Sequence, residues 1–345
     1  TCACCAASTP KPASAVAAVL LCLNVAVWLS GESPARVLSL LLAGTLGSSY
    51  GVAQALAKAT PLVWTGAAVA FALRARLFNI GVEGQCAVGI LAAAVVGAAL
   101  PAATPWVVAV PVALAAAALA GGALGGAAGW MRARLGTHEV ISTLMLNGLV
   151  AVLTTWLYAG PLRVGAQVHT RPVVAGARLP QAGAAMDVFR GSSLNASLVL
   201  AVAAAFGAHW YLRERREGVA IRALGAGPGA AEALGVDTRA ATVRAMAFSG
   251  ALAGLAASHY VLGVKGSAEQ GLGAGVGFTG IAVALLGGMR PVGIALAALL
   301  FGAMAQGALV VNARVPADVL TLTQAAVIVA VGALGAASLR HKESQ

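Results

Sequence analysis

Apolar residues in this chain gather in long unbroken runs, and polar side chains collect in the gaps between them. The runs fall at about 15–30, 59–77, 85–100, 106–129, 138–158, 193–212, 239–263, 277–289, 292–312 and 317–339. Most approach the roughly 20 apolar residues that one helix needs to cross a bilayer. Only helices and closed barrels satisfy their backbone polar groups in lipid. The pattern therefore predicts an all-α, polytopic membrane protein with about ten transmembrane helices.

Two stretches break the pattern. Residues 34–57 are mixed, with Arg36 and Gln54 just ahead of Lys58, and read as an external or re-entrant helix. Residues 160–192 carry Pro161, Pro172, Pro180, four arginines, Gln167, His169 and Asp187, so they form an extramembrane loop. The expected organisation is a tail at 1–14, a membrane domain at 15–339 and a tail at 340–345. The apolar start at Ala15–Ser30 lacks a small-residue cleavage site followed by a soluble domain, so no cleavable signal peptide is expected.

Composition narrows the class. Of 345 residues, 60% are hydrophobic and 10% charged, and the mean hydropathy is +0.88. Soluble domains carry about 25% charged residues. There are too few polar groups here to cover a water-facing surface, which excludes a soluble globular enzyme.

The net charge is +11. In a membrane chain this reads as Lys and Arg retained on the cytoplasmic side rather than as a nucleic-acid partner. With the N-terminus inside, internal connections hold 14 Lys and Arg, against four in short external segments. That bias predicts both termini in the cytoplasm.

Several segments could carry chemistry. In Phe78-Asn79-Ile80-Gly81-Val82-Glu83-Gly84-Gln85, two glycines and three polar side chains interrupt an apolar stretch. Such a break is either a discontinuous helix lining a cavity or a wet turn with Glu83 paired to Arg74 or Arg76. Thr137-His138-Glu139 opens a run, where Thr137 can cap and Glu139 suits the positive helix end. Beyond it, Thr143 and Asn147 lie four apart on one face near Ser142, and either line a pathway or bond between helices. Alternating glycines from Gly271 to Gly277 precede Phe278-Thr279-Gly280 and predict a flexible external loop or a re-entrant turn.

Small residues also recur at helical spacing. Gly121, Gly125 and Gly129 are four apart, as are Gly122 and Gly126, and Gly250 and Gly254. Such faces let backbones approach closely, either within one subunit or at an oligomer seam.

The longest internal connection is 213–238. Its arginines end a span, and Gly225, Gly227, Pro228 and Gly229 stop the helix from continuing. Ala230–Leu234 then suits a short helix, Gly235 its stop, and Asp237 or Thr238 the next cap. This is a short helix across the membrane face or a simple surface turn. The loose glycine fingerprint at 225–230 follows a helix end rather than a strand, so it is not a dinucleotide site.

Other chemistry is missing from the sequence. Cys2, Cys4 and Cys5 crowd the start, Cys22 and Cys86 sit in apolar runs, and no Cys/His spacing suits zinc. The four lysines are Lys11, Lys58, Lys265 and Lys342, none in a phosphate-cradling Gly-Lys-Ser/Thr context. No metal, cofactor or ATP-hydrolysing site is expected.

FNIGVEGQ at 78–85, THEVISTLMLN at 137–147 and GFTGIAVALLGG at 277–288 resemble the permease subunits of nucleoside-type bacterial ABC importers. These belong to the larger branched-chain amino acid and ribose permease family. The resemblance extends over roughly 50–335 and includes 222–237 with FSGALAG at 248–254; TCACCAAS at the start has no counterpart in it.

The resemblance implies a multi-pass protein of the cell membrane that gives a small solute alternating access. It implies a second, non-identical permease subunit, a separate duplicated ABC ATPase and a substrate-binding lipoprotein. It makes 213–238 the cytoplasmic coupling loop, with Ala230, Glu232, Ala233, Leu234 and Gly235 facing the ATPase. Asn79, Glu83, Gln85, Thr143, Asn147, Phe278 and Thr279 become candidates for the substrate pathway. Two other readings compete: a permease for a ribose-like sugar or another small solute, and an ion-coupled secondary transporter. The latter finds few intramembrane acids, namely Glu83, Glu139 and Asp318.

Overall fold

A computed structural model describes residues 33–165 and 168–312, together with Trp28. The expected runs at 15–30 and 317–339 and both tails lie outside the described residues, Trp28 apart. Among the described residues the elements are helical, with two isolated β-bridges, His169 with Glu269 and Gln181 with Asn195.

The helices are α1 (Pro34–Leu46), α2 (Ser49–Leu73), α3 (Val82–Ala99), α4 (Trp106–Leu135), α5 (Glu139–Ala159) and α6 (Ser197–Glu214). They continue as α7 (Arg216–Ala226), α8 (Pro228–Ala233), α9 (Thr238–Gly254), α10 (Val276–Leu286) and α11 (Pro291–Val311). A π-helical segment, Ser258–Lys265, extends α9. Six of the described helices are long and apolar enough to span a membrane: α2, α3, α4, α5, α9 with its extension, and α11.

The chain runs up and down between two ends. One is arginine-rich: α2, α4 and α6 finish there, α5, α9 and α11 begin there, and α7 and α8 lie between α6 and α9. At the opposite end the segment 160–196 is tied to the π-helical region. Thr170 N–H donates to Ala268 O at 2.9 Å, Val173 N–H to Gly266 O at 2.7 Å and Leu179 N–H to Leu262 O at 2.8 Å.

The helix α2 is the axis of the bundle, and most of its length is buried by its neighbours. The expected single helix at 34–57 is instead two elements. Ser33 accepts from Arg36 N–H and caps α1, and Ser48 accepts from Gly51 N–H at 3.0 Å and caps α2. The second cap assigns residues 49–57 to α2, despite Gln54. Its partner α1 packs instead on the far end of α11, where Val37 meets Val311.

The two glycine stripes meet each other within the chain. A Cβ on Gly121 or Gly125 would run into the backbone of α9 at Gly250 and Met246, and one on Gly250 or Gly254 into that of α4. The helices α4 and α9 therefore cross backbone to backbone, which only small residues allow.

Three further expectations are corrected. The run 277–289 contains a helix of 11 residues, about 17 Å long and half of what a span needs. At the start of α5 the cap is His138, whose Nδ1 accepts from Val140 N–H at 3.4 Å. Thr137 instead accepts from the Ser142 hydroxyl at 3.0 Å. In the 213–238 connection α7 was missed: Gly225 does not stop it, because glycine there lets α7 lie against the Arg74 carbonyl.

Candidate functional site

The segment after α2 turns at Arg74–Leu77 and re-enters the bundle in extended form before α3 begins. Its polar groups are all satisfied by protein. Asn79 Nδ2 donates to Gln85 Oε1 at 2.9 Å and to Ser249 Oγ at 2.8 Å, and Gln85 Nε2 returns a bond to Asn79 Oδ1 at 3.1 Å. Ser249 donates to Ala68 O at 2.6 Å. Asn79, Gln85 and Ser249 are fully buried. Four side-chain bonds thus tie α2, the re-entering segment, α3 and α9 together.

Asn147 does the same from α5. Its Nδ2 donates to Ile80 O and its Oδ1 accepts from Gly84 N–H, each at 3.0 Å. Thr143 is buried and donates to Glu139 O at 2.7 Å within its own helix. Of the two roles the spacing allowed, Asn147 takes the bond between elements. Glu139 pairs with Arg132 and accepts from Phe78 N–H at 3.4 Å.

Glu83 is half-buried and turns away from Arg74 and Arg76. Its Oε1 accepts from Gly275 N–H at 2.6 Å and its Oε2 from Gly277 N–H at 2.8 Å. These donors open α10, so the carboxylate caps the positive end of that half-length helix. The wet turn with a Glu83–arginine pair is not what forms.

The depth of this contact follows from α2. Thr65 donates to Val276 O at 3.2 Å, and Thr65 stands eight residues before the end of α2. That places the start of α10 about 12 Å inside the arginine-rich end. The glycine segment before it is therefore a re-entrant loop, one of the two forms expected for it. Gly271, Gly273 and Gly275 all hold φ near +80°, a conformation that side chains resist.

Two cavities flank this loop, and Leu272 and Ala274 line both. The larger, about 470 Å³, is lined by Gln54, Lys58, His259, Tyr260, Thr279 and Phe301 among others. The smaller, about 240 Å³, is lined by Glu83, Thr154, Thr155, Tyr158, Glu269 and Gln270 with Ala87 and Ile90. Of the sequence candidates, Glu83 and Thr279 reach a cavity, while Asn79, Gln85, Thr143 and Asn147 hold the surroundings in place. Phe278 is half-exposed and makes no part of the polar cluster. Tyr158, Thr154, Thr155, Glu269 and Gln270 escaped sequence reasoning: the first three are polar residues in an apolar run with no spacing signal, and the last two lie in a connection where polar residues are ordinary.

The coupling candidates lie at the arginine-rich end. In α8 Ala231 is buried, whereas Ala230, Glu232, Ala233 and Leu234 are exposed, Leu234 by 68%. Gly235 ends the turn at φ +69°, and Asp237 caps α9 by accepting from Arg239 N–H at 3.0 Å and Ala240 N–H at 3.1 Å. Nearby, Arg74 donates to Met289 O at 2.9 Å. Burial, and then the neighbouring guanidiniums of Arg213, Arg290 and Arg222, push its pKa below the usual arginine value.

The sequence profile of the permease component of branched-chain amino acid transport systems matches residues 51–332. The guanosine ABC transporter permease of Bacillus subtilis is 36% identical over 87% of this chain and 86% of its own length. The nucleoside ABC transporter permease of Lactococcus lactis subsp. cremoris is 30% identical over 84% of this chain and 80% of its own. A glucose ABC transporter permease of Haloferax volcanii is 31% identical over 92% and 85%.

Proposed function

This chain belongs to the branched-chain amino acid transport permease family, as an integral membrane subunit of an ABC importer, and we propose that the solute it passes is a nucleoside. The observation that carries the reading is the agreement of the guanosine and nucleoside relatives over most of the chain. A second reading, a neutral sugar, is favoured by the glucose relative.

In this reading the arginine-rich end faces the cytoplasm. Eleven of the fourteen arginines and lysines expected inside fall within the described residues, and the helix ends and connections that carry them all lie at that end. An ATPase on a separate chain docks against the exposed side of α8, and a second permease subunit and a binding lipoprotein complete the importer. ATP binding moves α8, and α7 passes the motion to the end of α2 through the Gly225–Arg74 contact. The re-entrant loop and α10, held by Glu83, border the solute path, with Thr279 and Phe278 at its side. Asn79, Gln85, Thr143 and Asn147 fix the frame around it. Alternating access requires two states close in free energy, and the ATPase and the loaded binding protein shift their populations.

The test is uptake of labelled guanosine and glucose into vesicles holding the permease with its partner subunits. Guanosine uptake that needs ATP hydrolysis is the expected result. Uptake that follows an ion gradient without ATP would overturn the reading.

A further inference from the structure

The smaller cavity beside Glu83 has a polar lining whose free valences suit one kind of ligand. Its carboxylates are already engaged: Glu83 takes two backbone N–H groups, and Glu269 is paired with Lys265. Each still has lone pairs able to accept from a hydroxyl. Among the described residues, no Arg, Lys or His lines the cavity. A phosphate or carboxylate entering it would meet the carboxylates of Glu83 and Glu269, with the nearest cation, Lys265, already engaged by Glu269.

Tyr158 supplies the second observation. It is 4% exposed and lines the cavity, yet its hydroxyl makes no hydrogen bond among the described residues. Nor is it among the polar atoms sealed away without a partner, which are Trp64 Nε1, Ser192 Oγ and Ser258 Oγ. The phenol oxygen therefore keeps some accessible surface, on a residue that lines the cavity. Buried polar groups of this kind pair with something, and the cavity that Tyr158 lines has room for such a partner.

The remaining walls, Ala87, Ile90 and Leu272, are apolar. At about 240 Å³ the space lies below the roughly 300–1,000 Å³ of sites for drug-sized ligands. It has room for one small ring. Apolar walls with hydroxyl-accepting and hydroxyl-donating groups on one side match a sugar ring, which has C–H faces and a hydroxylated edge.

We propose that the cavity formed by Glu83, Tyr158 and Gln270 is a binding site for the neutral sugar ring of the transported solute, and that its two carboxylates exclude anionic solutes such as nucleotides. This rests on the importer reading for the word "transported" but not for binding.

The test uses the permease in lipid nanodiscs, with its native cysteines replaced by alanine and Ala87→Cys as a reporter. The rate of thiol labelling at position 87 is measured against ribose, ribose 5-phosphate and ethanolamine. Ribose is expected to slow labelling with saturation, and the other two to leave it unchanged. Tyr158→Phe removes a hydroxyl that bonds nothing among the described residues, so the fold is retained. It should raise the half-protecting ribose concentration about fivefold, the effect of one lost hydrogen bond. Labelling indifferent to ribose, equal protection by ribose 5-phosphate, protection by ethanolamine alone, or an unchanged ribose response in Tyr158→Phe would each overturn the proposal. The reading is taken without ATP or partner subunits, so its failure is distinct from a failure of ATP-driven uptake.

Discussion

Glu83 and Gly277, 194 residues apart in sequence, are joined by a 2.8 Å hydrogen bond from the glycine N–H to the carboxylate. With the companion bond from Gly275, it fixes the start of α10 in the interior of the bundle. Hydrogen bonds to charged groups contribute about 1.5–3 kcal/mol each. Glu83→Ala is expected to destabilise the permease by about 2–4 kcal/mol, and Glu83→Gln, which keeps one acceptor, by less. Thermal unfolding in detergent measures both. Equal, wild-type melting of the two variants would show that the carboxylate does not hold α10.

Asn79 and Gln85 act as one unit. Removing Asn79 leaves the Gln85 amide buried and unpaired, at about 1–3 kcal/mol, whereas removing Gln85 leaves Asn79 its bonds to Ser249 and to Gly81 N–H. Asn79→Ala should lower stability by that amount or more, Gln85→Ala by less, and the double variant by clearly less than the sum. Additive effects in a double-mutant cycle would rule out the pairing. Any loss of transport in these variants should follow the loss of folded protein.

The crossing of α4 and α9 sets up a contrast between glycines. Gly121→Ala pushes a methyl into the Gly250 carbonyl, and overpacking of this kind costs about 1–3 kcal/mol. Gly207→Ala, in α6 with no atom near its Cβ position, should be neutral or gain up to about 1 kcal/mol. Melting temperatures of the two variants decide the matter, and a harmless Gly121→Ala would mean the helices are farther apart.

Leu234 is the one large apolar side chain exposed on the turn that follows α8. Leu234→Asp should leave the membrane fold intact. Its charge would sit in an apolar groove of the ATPase and weaken association at least tenfold, since an unpaired charge buried there costs several kcal/mol. Co-purification of the ATPase and solute-stimulated ATP turnover read the effect. Wild-type values in both would move the contact elsewhere.

Topology is checked by single cysteines at Ala184, in the segment 160–196, and Ala226, at the end of α7. Both positions are exposed. In intact cells a membrane-impermeant thiol reagent should label the first and not the second. The reverse pattern would invert the assignment of the two ends.

The sequence carried the long elements because their apolar runs are long. The limits of α3, α5, α11, and α9 with its extension follow the runs within about three residues, while α4 continues six residues past its run to Leu135. It could not show that α10 is half a span. Its run at 277–289 was read as one of the ten spans, and hydropathy does not register a helix that starts in mid-bundle. The caps Ser33 and Ser48 were visible as residue types, but splitting 34–57 between two elements depended on the packing of α1 against α11. At the site, Asn79, Glu83 and Gln85 stood out as polar residues in an apolar stretch. Their partners did not, because Ser249 Oγ, Ala68 O and the N–H groups of Gly275 and Gly277 are ordinary groups that only the fold brings near.

The shortness of α10 also bears on how the protein is made. A helix of 11 residues cannot be handed to the bilayer as an independent span by the insertion machinery, which selects segments of about 20 apolar residues. Its seat is formed by Thr65 of α2 and Glu83 of α3, synthesised 211 and 194 residues before their partners. The segment must therefore enter a bundle already assembled from its N-terminal part. Biogenesis of this permease is thus ordered: the early helices build the receptacle, and the re-entrant piece is fitted into it.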